Sequence, residues 1–157
     1  MATWMERLGA IVPGRRLENA ARTAPLRLSA SAPVDGQALP SIAGFRERGF
    51  VEAGSFSVAG RSLAVTLLIK PDEAMLAAVF QPVGAMPWIE LISHYADGEV
   101  LSFTAAARGS ESRPGRPIVI AARFQPGALY ARFRAERRRD GLLPVDAGSA
   151  VAILEKR

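Results

Sequence analysis

His94 is the only histidine of the chain, and it follows a serine, the pairing that a hydrolase would need. A histidine acts as a general base when its ring reaches the nucleophile and a carboxylate orients it. Glu90 precedes it on the same predicted strand face, and Asp97 lies close by in a predicted turn. Ser93 and His94 are consecutive strand residues, so their side chains point to opposite faces and cannot converge. The chain also lacks a Gly-x-Ser-x-Gly elbow that would present another serine, and we expect no catalytic role for His94.

A metal site would need several ligands of suitable type in one cluster. The chain has no cysteine, which excludes thiolate sites and disulfides. The remaining candidate ligands are Asp72, Glu73, Glu90, His94, Asp97 and Glu99. They lack the His-Glu-x-x-His or Asp-x-Asp-x-Asp-Gly spacing that brings ligands together, and Asp72 and Glu73 follow Pro71 as in a turn that leaves two charges in water. We predict no dedicated metal site.

Two glycine-containing turns come nearest to a phosphate-binding loop, at residues 59–61 and 113–117. Neither has the Gly-x-x-x-x-Gly-Lys pattern, nor a Gly-x-Gly-x-x-Gly between a strand and a helix. We therefore expect neither a nucleotide nor any other cofactor.

A run of arginines near the carboxyl end is the strongest indication of a partner. Its members are Arg132, Arg134, Arg137, Arg138 and Arg139. On a helix, with about 100° between residues, Arg134, Arg137 and Arg138 lie near one another and could bind phosphate, an acidic protein or anionic lipid. The alternative is a solvated face that complements the helix dipole. The aromatic residues near the run, Tyr130 and Phe133, are expected in the core rather than stacked on bases, so the pattern does not favour nucleic acid.

The amino-terminal residues carry an apolar stripe. Its members are Trp4, Met5, Leu8, Ile11 and Val12. Their spacing at i, i+1, i+4, i+7 and i+8 predicts a short helix that ends at Pro13 and Gly14. Three interpretations remain open: a helix in the core, a docking helix for a partner, or an interfacial membrane anchor. The connection over residues 20–40 is rich in Ala, Ser and Pro and could hold the stripe away from the rest of the chain.

The net charge of +5 is distributed unevenly along the chain. Residues 1–27 hold five arginines against two acidic groups, residues 28–107 hold four basic against eight acidic, and residues 108–157 hold eleven against five. The ends of the chain are therefore basic and its middle is acidic. No apolar run approaches the roughly 20 residues that span a bilayer, and no secretory signal is recognisable, so we expect a cytoplasmic protein.

The middle of the chain predicts a series of short strands at residues 50–58, 62–70, 75–81, 88–96 and 99–106, with a sixth at 118–124. Tight connections between them indicate an antiparallel meander. Helices are predicted from Pro40 to near Gly49, from Pro126 to Arg139, and from Asp146 onward. We predict an α+β fold, with an antiparallel sheet of five to six strands covered by amino- and carboxy-terminal helices. Residues 1–40 would form a helical arm and connection, and residues 41–157 a single domain.

The Asp97-Gly98 pair between two strand-like runs is the strongest hairpin signal in the sequence. A two-residue type I′ turn there would place Ile92 opposite Phe103 and His94 opposite Leu101. Trp88, Glu90, Ile92 and His94 would then share one face with Leu101, Phe103 and Ala105.

These patterns favour a non-enzymatic accessory or structural protein that contacts partners through its basic ends. The partner would be another protein, within a larger assembly, or peripherally an anionic membrane surface. An alternative function is the binding of an apolar small molecule between sheet and helices. A Gly-Ser-Phe strand, a Pro-Asp-Glu turn and a Tyr-x-Asp-Gly hairpin together resemble small bacterial domains, a resemblance that implies no activity.

Overall fold

A sheet of seven strands in chain order is the central element of the computed structural model, which describes residues 27–30, 38–105, 118–120 and 125–156. The strands are β1 (Leu28–Ala30), β2 (Val51–Val58), β3 (Leu63–Lys70), β4 (Met75–Pro82), β5 (Trp88–His94), β6 (Val100–Ala105) and β7 (Ile118–Ile120). The first six pair antiparallel as a meander, and β7 adds parallel to β6. The predicted α+β class with an antiparallel meander is confirmed. The parallel direction of β7 was not predicted.

The helices among the described residues are α1 (Leu39–Arg46), α2 (Pro126–Glu136) and α3 (Ala150–Glu155), and a 3-10 turn, Pro71–Glu73, joins β3 to β4. Pro126 occupies the first turn of α2, where its missing N–H leaves no hydrogen bond unmade. Asp146 leads into α3, because its Oδ1 accepts from the Ser149 N–H at 2.7 Å while Ser149 Oγ accepts from the Asp146 N–H at 3.0 Å. The predicted helix at residues 4–12 lies outside the described residues. From the predicted segment 1–40, β1 pairs with β2 and is part of the sheet.

Both faces of the sheet are buried, where the sequence predicted one covered face. The first face carries Leu63, Val65, Leu67, Leu76, Phe80, Trp88, Ile92 and Val100, packed with Val145 and the α3 residues Ile153 and Leu154. The second face carries Leu68, Met75, Val79, Ile89, Leu91 and Phe103, packed with Ile42 and Phe45 of α1 and Leu129 and Phe133 of α2. The period-two alternation of the central strands therefore supplies two separate cores.

The β5–β6 hairpin departs from the predicted register by one residue. Ile92 lies opposite Ser102, where the type I′ turn predicted Phe103, and His94 lies opposite Val100. A shift of one residue moves every side chain of one strand to the other face relative to its partner strand. Phe103 accordingly packs on the second face, and Val100 joins Ile92 on the first.

The loop of this hairpin explains the shift. Tyr95 N–H donates to the Glu99 carbonyl at 2.9 Å, and Gly98 N–H donates to the Tyr95 carbonyl at 3.0 Å. Gly98 has a φ of 87°, whereas Asp97 is not among the residues with positive φ. This is a three-residue loop, a type I turn followed by a left-handed glycine, rather than the predicted two-residue turn.

Candidate functional site

The carboxyl end of α2 is tied to the 3-10 turn by a cluster centred on one carboxylate. Tyr130 Oη donates to Glu73 Oε1 at 2.8 Å, and Arg137 donates through Nη1 to the Glu73 carbonyl. Glu73 Oε2 lies 3.6 Å from Arg134 Nε and 3.7 Å from Arg137 Nη2. Lys70 Nζ is 3.9 Å from Glu73 Oε1. We call Lys70, Glu73, Tyr130, Arg134 and Arg137 the Glu73 cluster.

The solvent exposure predicted for Glu73 from the sequence is wrong. Its carboxylate is largely buried, whereas the predicted turn was to leave both Asp72 and Glu73 in water; Asp72 is indeed exposed. Burial raises the pKa of Tyr130, and the hydrogen bond to Glu73 raises it further. The turn behind the carboxylate is also fixed, because Ser93 Oγ donates to the carbonyl of the left-handed residue Ala74 at 3.0 Å.

A second cluster joins the residues after α2 to the β5–β6 loop. Arg138 Nη2 lies 2.9 Å from both Asp97 Oδ2 and Glu99 Oε2, and the guanidinium carbon lies 4.3 Å from the centre of the Tyr95 ring. Asp97 Oδ1 accepts from the Glu99 N–H at 3.0 Å. This backbone hydrogen bond and the one from Arg138 lower the pKa of Asp97. Burial raises the pKa of Tyr95. We call Tyr95, Asp97, Glu99 and Arg138 the Arg138 cluster.

All three arginines predicted to bind a partner make ion pairs within the chain. Arg137 has only 7% of its side chain exposed, and Arg138 pairs with two carboxylates. Arg134 is the most accessible, at 58%. Arg137 and Arg138 also lie beyond the last helical residue, Glu136, so the three do not share one helical face. The other predicted partner-binding residues, Trp4, Met5, Leu8, Ile11 and Val12, lie outside the described residues.

The groups that a catalytic role of His94 would require in one place are apart in the structure. Ser93 is fully buried and donates to Ala74, whereas His94 is half-buried on the opposite side of the strand. Glu90 is buried between Ala78 and Thr104 on the neighbouring strands. Across the described ranges, no three His, Asp or Glu side chains group closely enough to hold a metal ion.

The β4–β5 hairpin presents apolar side chains to solvent, an exposure that the sequence pattern did not indicate. Val83 is 81% exposed and Met86 is 77% exposed, and residues 83–87 of this loop include no charged or polar side chain. We call residues 83–87 the hairpin tip. Below it, the rings of Phe80 and Trp88 stack at 4.8 Å with an angle of 10° between planes. The exposed tip therefore stands on a rigid, buried base.

The two ends of the sheet differ in charge. The hairpin tip and the neighbouring turn at residues 59–62 carry one charged side chain, Arg61, and no acidic one. Val83 N–H donates to the Ser62 carbonyl at 3.0 Å, so these two loops are adjacent. The acidic residues Asp72, Glu73, Asp97 and Glu99 lie in the loops of the opposite end. Among the described loops, the tip and the turn at residues 59–62 are therefore apolar and weakly basic, whereas the loops of the opposite end are densely charged.

Comparison with known proteins identifies no relative: no family model, no curated protein and no solved structure matches the chain. In the described part of the chain, none of the helices has both the length and the apolar character needed to cross a bilayer.

Proposed function

We propose that this chain is a non-enzymatic interaction protein, an accessory or structural subunit whose sheet serves as a scaffold for contacts at its periphery. The proposal depends on the hairpin tip, where Val83 and Met86 are 81% and 77% exposed in the loop that joins the inner strands β4 and β5. A contiguous exposed apolar stretch is typical of an interaction site, and residues 83–87 form such a stretch without a polar side chain. The Glu73 cluster supports the scaffold role, because its largely buried carboxylate ties α2 and the residue after it to the turn between β3 and β4.

The basic ends of the chain remain part of this proposal. Arg134 is accessible enough to meet an acidic partner, and the predicted stripe from Trp4 to Val12 would add an apolar contact. The partner would be another protein in a larger assembly or an anionic membrane surface, and we expect the protein to act in the cytoplasm. The pattern still does not favour nucleic acid.

The test compares two tip substitutions with a matched control. Val83→Asp combined with Met86→Asp places charges on the tip without touching the core, while Val51→Asp makes the same change at an apolar side chain that is 62% exposed at the opposite end of the sheet. Thermal unfolding of the purified variants establishes that all remain folded.

Sedimentation of extracts from cells that express each variant then measures association. We expect the unmodified chain and Val51→Asp to sediment as part of a larger species or with membranes, and the doubly substituted chain to sediment as free protein. Identical sedimentation of all three would refute a contact at the hairpin tip.

A further inference from the structure

The hairpin tip is a convex, preformed projection. Val83 N–H is held by the Ser62 carbonyl at 3.0 Å, and Gly84 adopts a left-handed φ of 72° that closes the turn. Pro82 precedes the tip and Pro87 is its last residue, and both restrict the backbone there. Because β4 and β5 are central strands, with Phe80 and Trp88 stacked at the base, the tip does not need to fold on contact.

Basic side chains in the segments near the tip favour an anionic partner. Arg61 is half-buried in the adjacent turn, and Arg27 is exposed beside Ala59, whose N–H donates to the Arg27 carbonyl at 2.8 Å. From residue 74 to residue 89 the chain has no charged side chain at all. Glu155 lies at the same end of the sheet as Arg27, because its carboxylate accepts from the Leu28 N–H at 3.0 Å. An anionic surface that approaches the tip therefore meets Arg61 and no acidic side chain in the adjacent turn at residues 59–62.

The size and shape of the tip favour a bilayer over a protein. Two side chains on a convex turn contact far less than the roughly 1,000 Å² that a specific protein interface needs. A bilayer interface requires no complementary pocket and accepts apolar side chains to a depth of about 5–10 Å. Basic residues beside the inserted group add attraction to anionic headgroups. We infer that the hairpin tip is a membrane-contact loop that inserts Val83 and Met86 into the interface of an anionic lipid bilayer, with Arg61 at the headgroups. This inference rests on the proposed function and names the partner of the same tip.

The absence of cysteine from the chain makes a direct test possible. Ala85→Cys places a single thiol at the tip, and Val51→Cys places one at the opposite end of the sheet; each full-length protein is labelled with an environment-sensitive fluorophore. The labelled proteins are titrated with vesicles of phosphatidylglycerol and phosphatidylcholine, and with vesicles of phosphatidylcholine alone. We expect a blue shift and increased emission from the label at residue 85 with the anionic vesicles, and no change from the label at residue 51.

Two variants then assign the contributions to binding. Combining Val83→Asp with Met86→Asp is expected to weaken vesicle association at least about tenfold, because two apolar contacts are replaced by charges. Arg61→Gln is expected to weaken it about fivefold at low salt and less at high salt, as for the loss of one basic residue at an anionic surface.

Each remaining outcome decides against the lipid. The inference is overturned if the emission of the label at residue 85 does not change with vesicles. It is also overturned if the tip substitutions leave vesicle binding unchanged, as expected for binding through the predicted amino-terminal stripe. A further outcome is that the tip substitutions abolish association in cell extracts while the purified protein does not bind vesicles. The lipid assignment is then wrong, and the proposed interaction function is retained with a protein as the partner.

Discussion

Asp97 carries a charge that the folded state stabilises, through the Glu99 N–H and the Arg138 guanidinium. Its pKa in the folded protein lies below the ordinary value of 3.8. The carboxylate therefore contributes stability above about pH 4, and this contribution is lost as the pH falls through the lowered pKa. We predict that Asp97→Asn lowers the unfolding temperature at pH 7 and that the difference from the unmodified protein shrinks below pH 4. Thermal unfolding of both proteins from pH 7 to below pH 4 measures the difference in unfolding temperature. A difference that does not depend on pH would contradict the assigned ion pair.

Arg137 anchors the chain after α2 to the buried Glu73 carboxylate and carbonyl. Its removal leaves a largely buried carboxylate without one of its cations, which for such pairs costs about 2 to 4 kcal/mol. Arg139→Ala, at an exposed side chain two residues away, should change the free energy of unfolding by less than about 0.5 kcal/mol. Denaturant unfolding of Arg137→Ala and Arg139→Ala compares the two. Equal effects would show that the Glu73 cluster does not hold this segment.

At the scale of elements, the β5–β6 turn depends on one left-handed residue, Gly98. A Cβ atom there would meet nothing within 4 Å, so a substitution is opposed only by backbone strain. We predict that Gly98→Val destabilises the protein by about 1 to 2 kcal/mol, whereas Gly98→Asn, a residue that tolerates this conformation, costs clearly less. Denaturant unfolding measures both, and equal stability of the valine variant and the unmodified protein would contradict the turn geometry.

The same hairpin shows which part of an element a sequence can specify. The Asp97-Gly98 pair located the turn correctly, since a left-handed glycine is needed in either geometry. It did not decide between loops of two and three residues, because that depends on whether Asp97 or only Gly98 takes a positive φ. The register of every pair in β5 and β6 follows from that one angle. The presence of the two strands was therefore predictable from the local alternation of apolar and polar side chains. The face of the sheet on which Phe103 lies was not predictable in this way.

The clusters of α2 were beyond prediction for a different reason. Glu73 and Arg137 are 64 residues apart in the chain, and local sequence does not show that they meet. The arginine run was correctly recognised as basic, but its exposure depends on those distant carboxylates. Likewise the hairpin tip is a Pro- and Gly-containing stretch typical of a turn, and only the folded sheet shows that Val83 and Met86 face solvent.

At the scale of the whole molecule, the role of the amino-terminal stripe can be tested by deletion of residues 1–14. We predict that the shortened chain remains folded, with a thermal transition close to that of the full chain, and that its association in cell extracts weakens. The reason is that the apolar stripe over residues 4–12 is followed by a Pro-broken connection that could hold it away from the sheet. A transition lowered by many degrees would show instead that the stripe belongs to the core.

A partner that covers the hairpin tip would protect the methionine there from oxidation, and two of the described methionines measure this protection directly. Met86 is exposed at the tip, and Met75 is fully buried in β4 and serves as an internal reference. Exposed methionines oxidise to the sulfoxide far faster than buried ones. Peroxide treatment followed by mass spectrometry measures both sites, in the purified protein and in extracts of cells that express it. We expect Met86 to oxidise rapidly when purified and severalfold more slowly in the extract, with Met75 slow in both; equal oxidation of Met86 in the two preparations, relative to an added methionine peptide, would contradict the claim that the tip is an interaction surface.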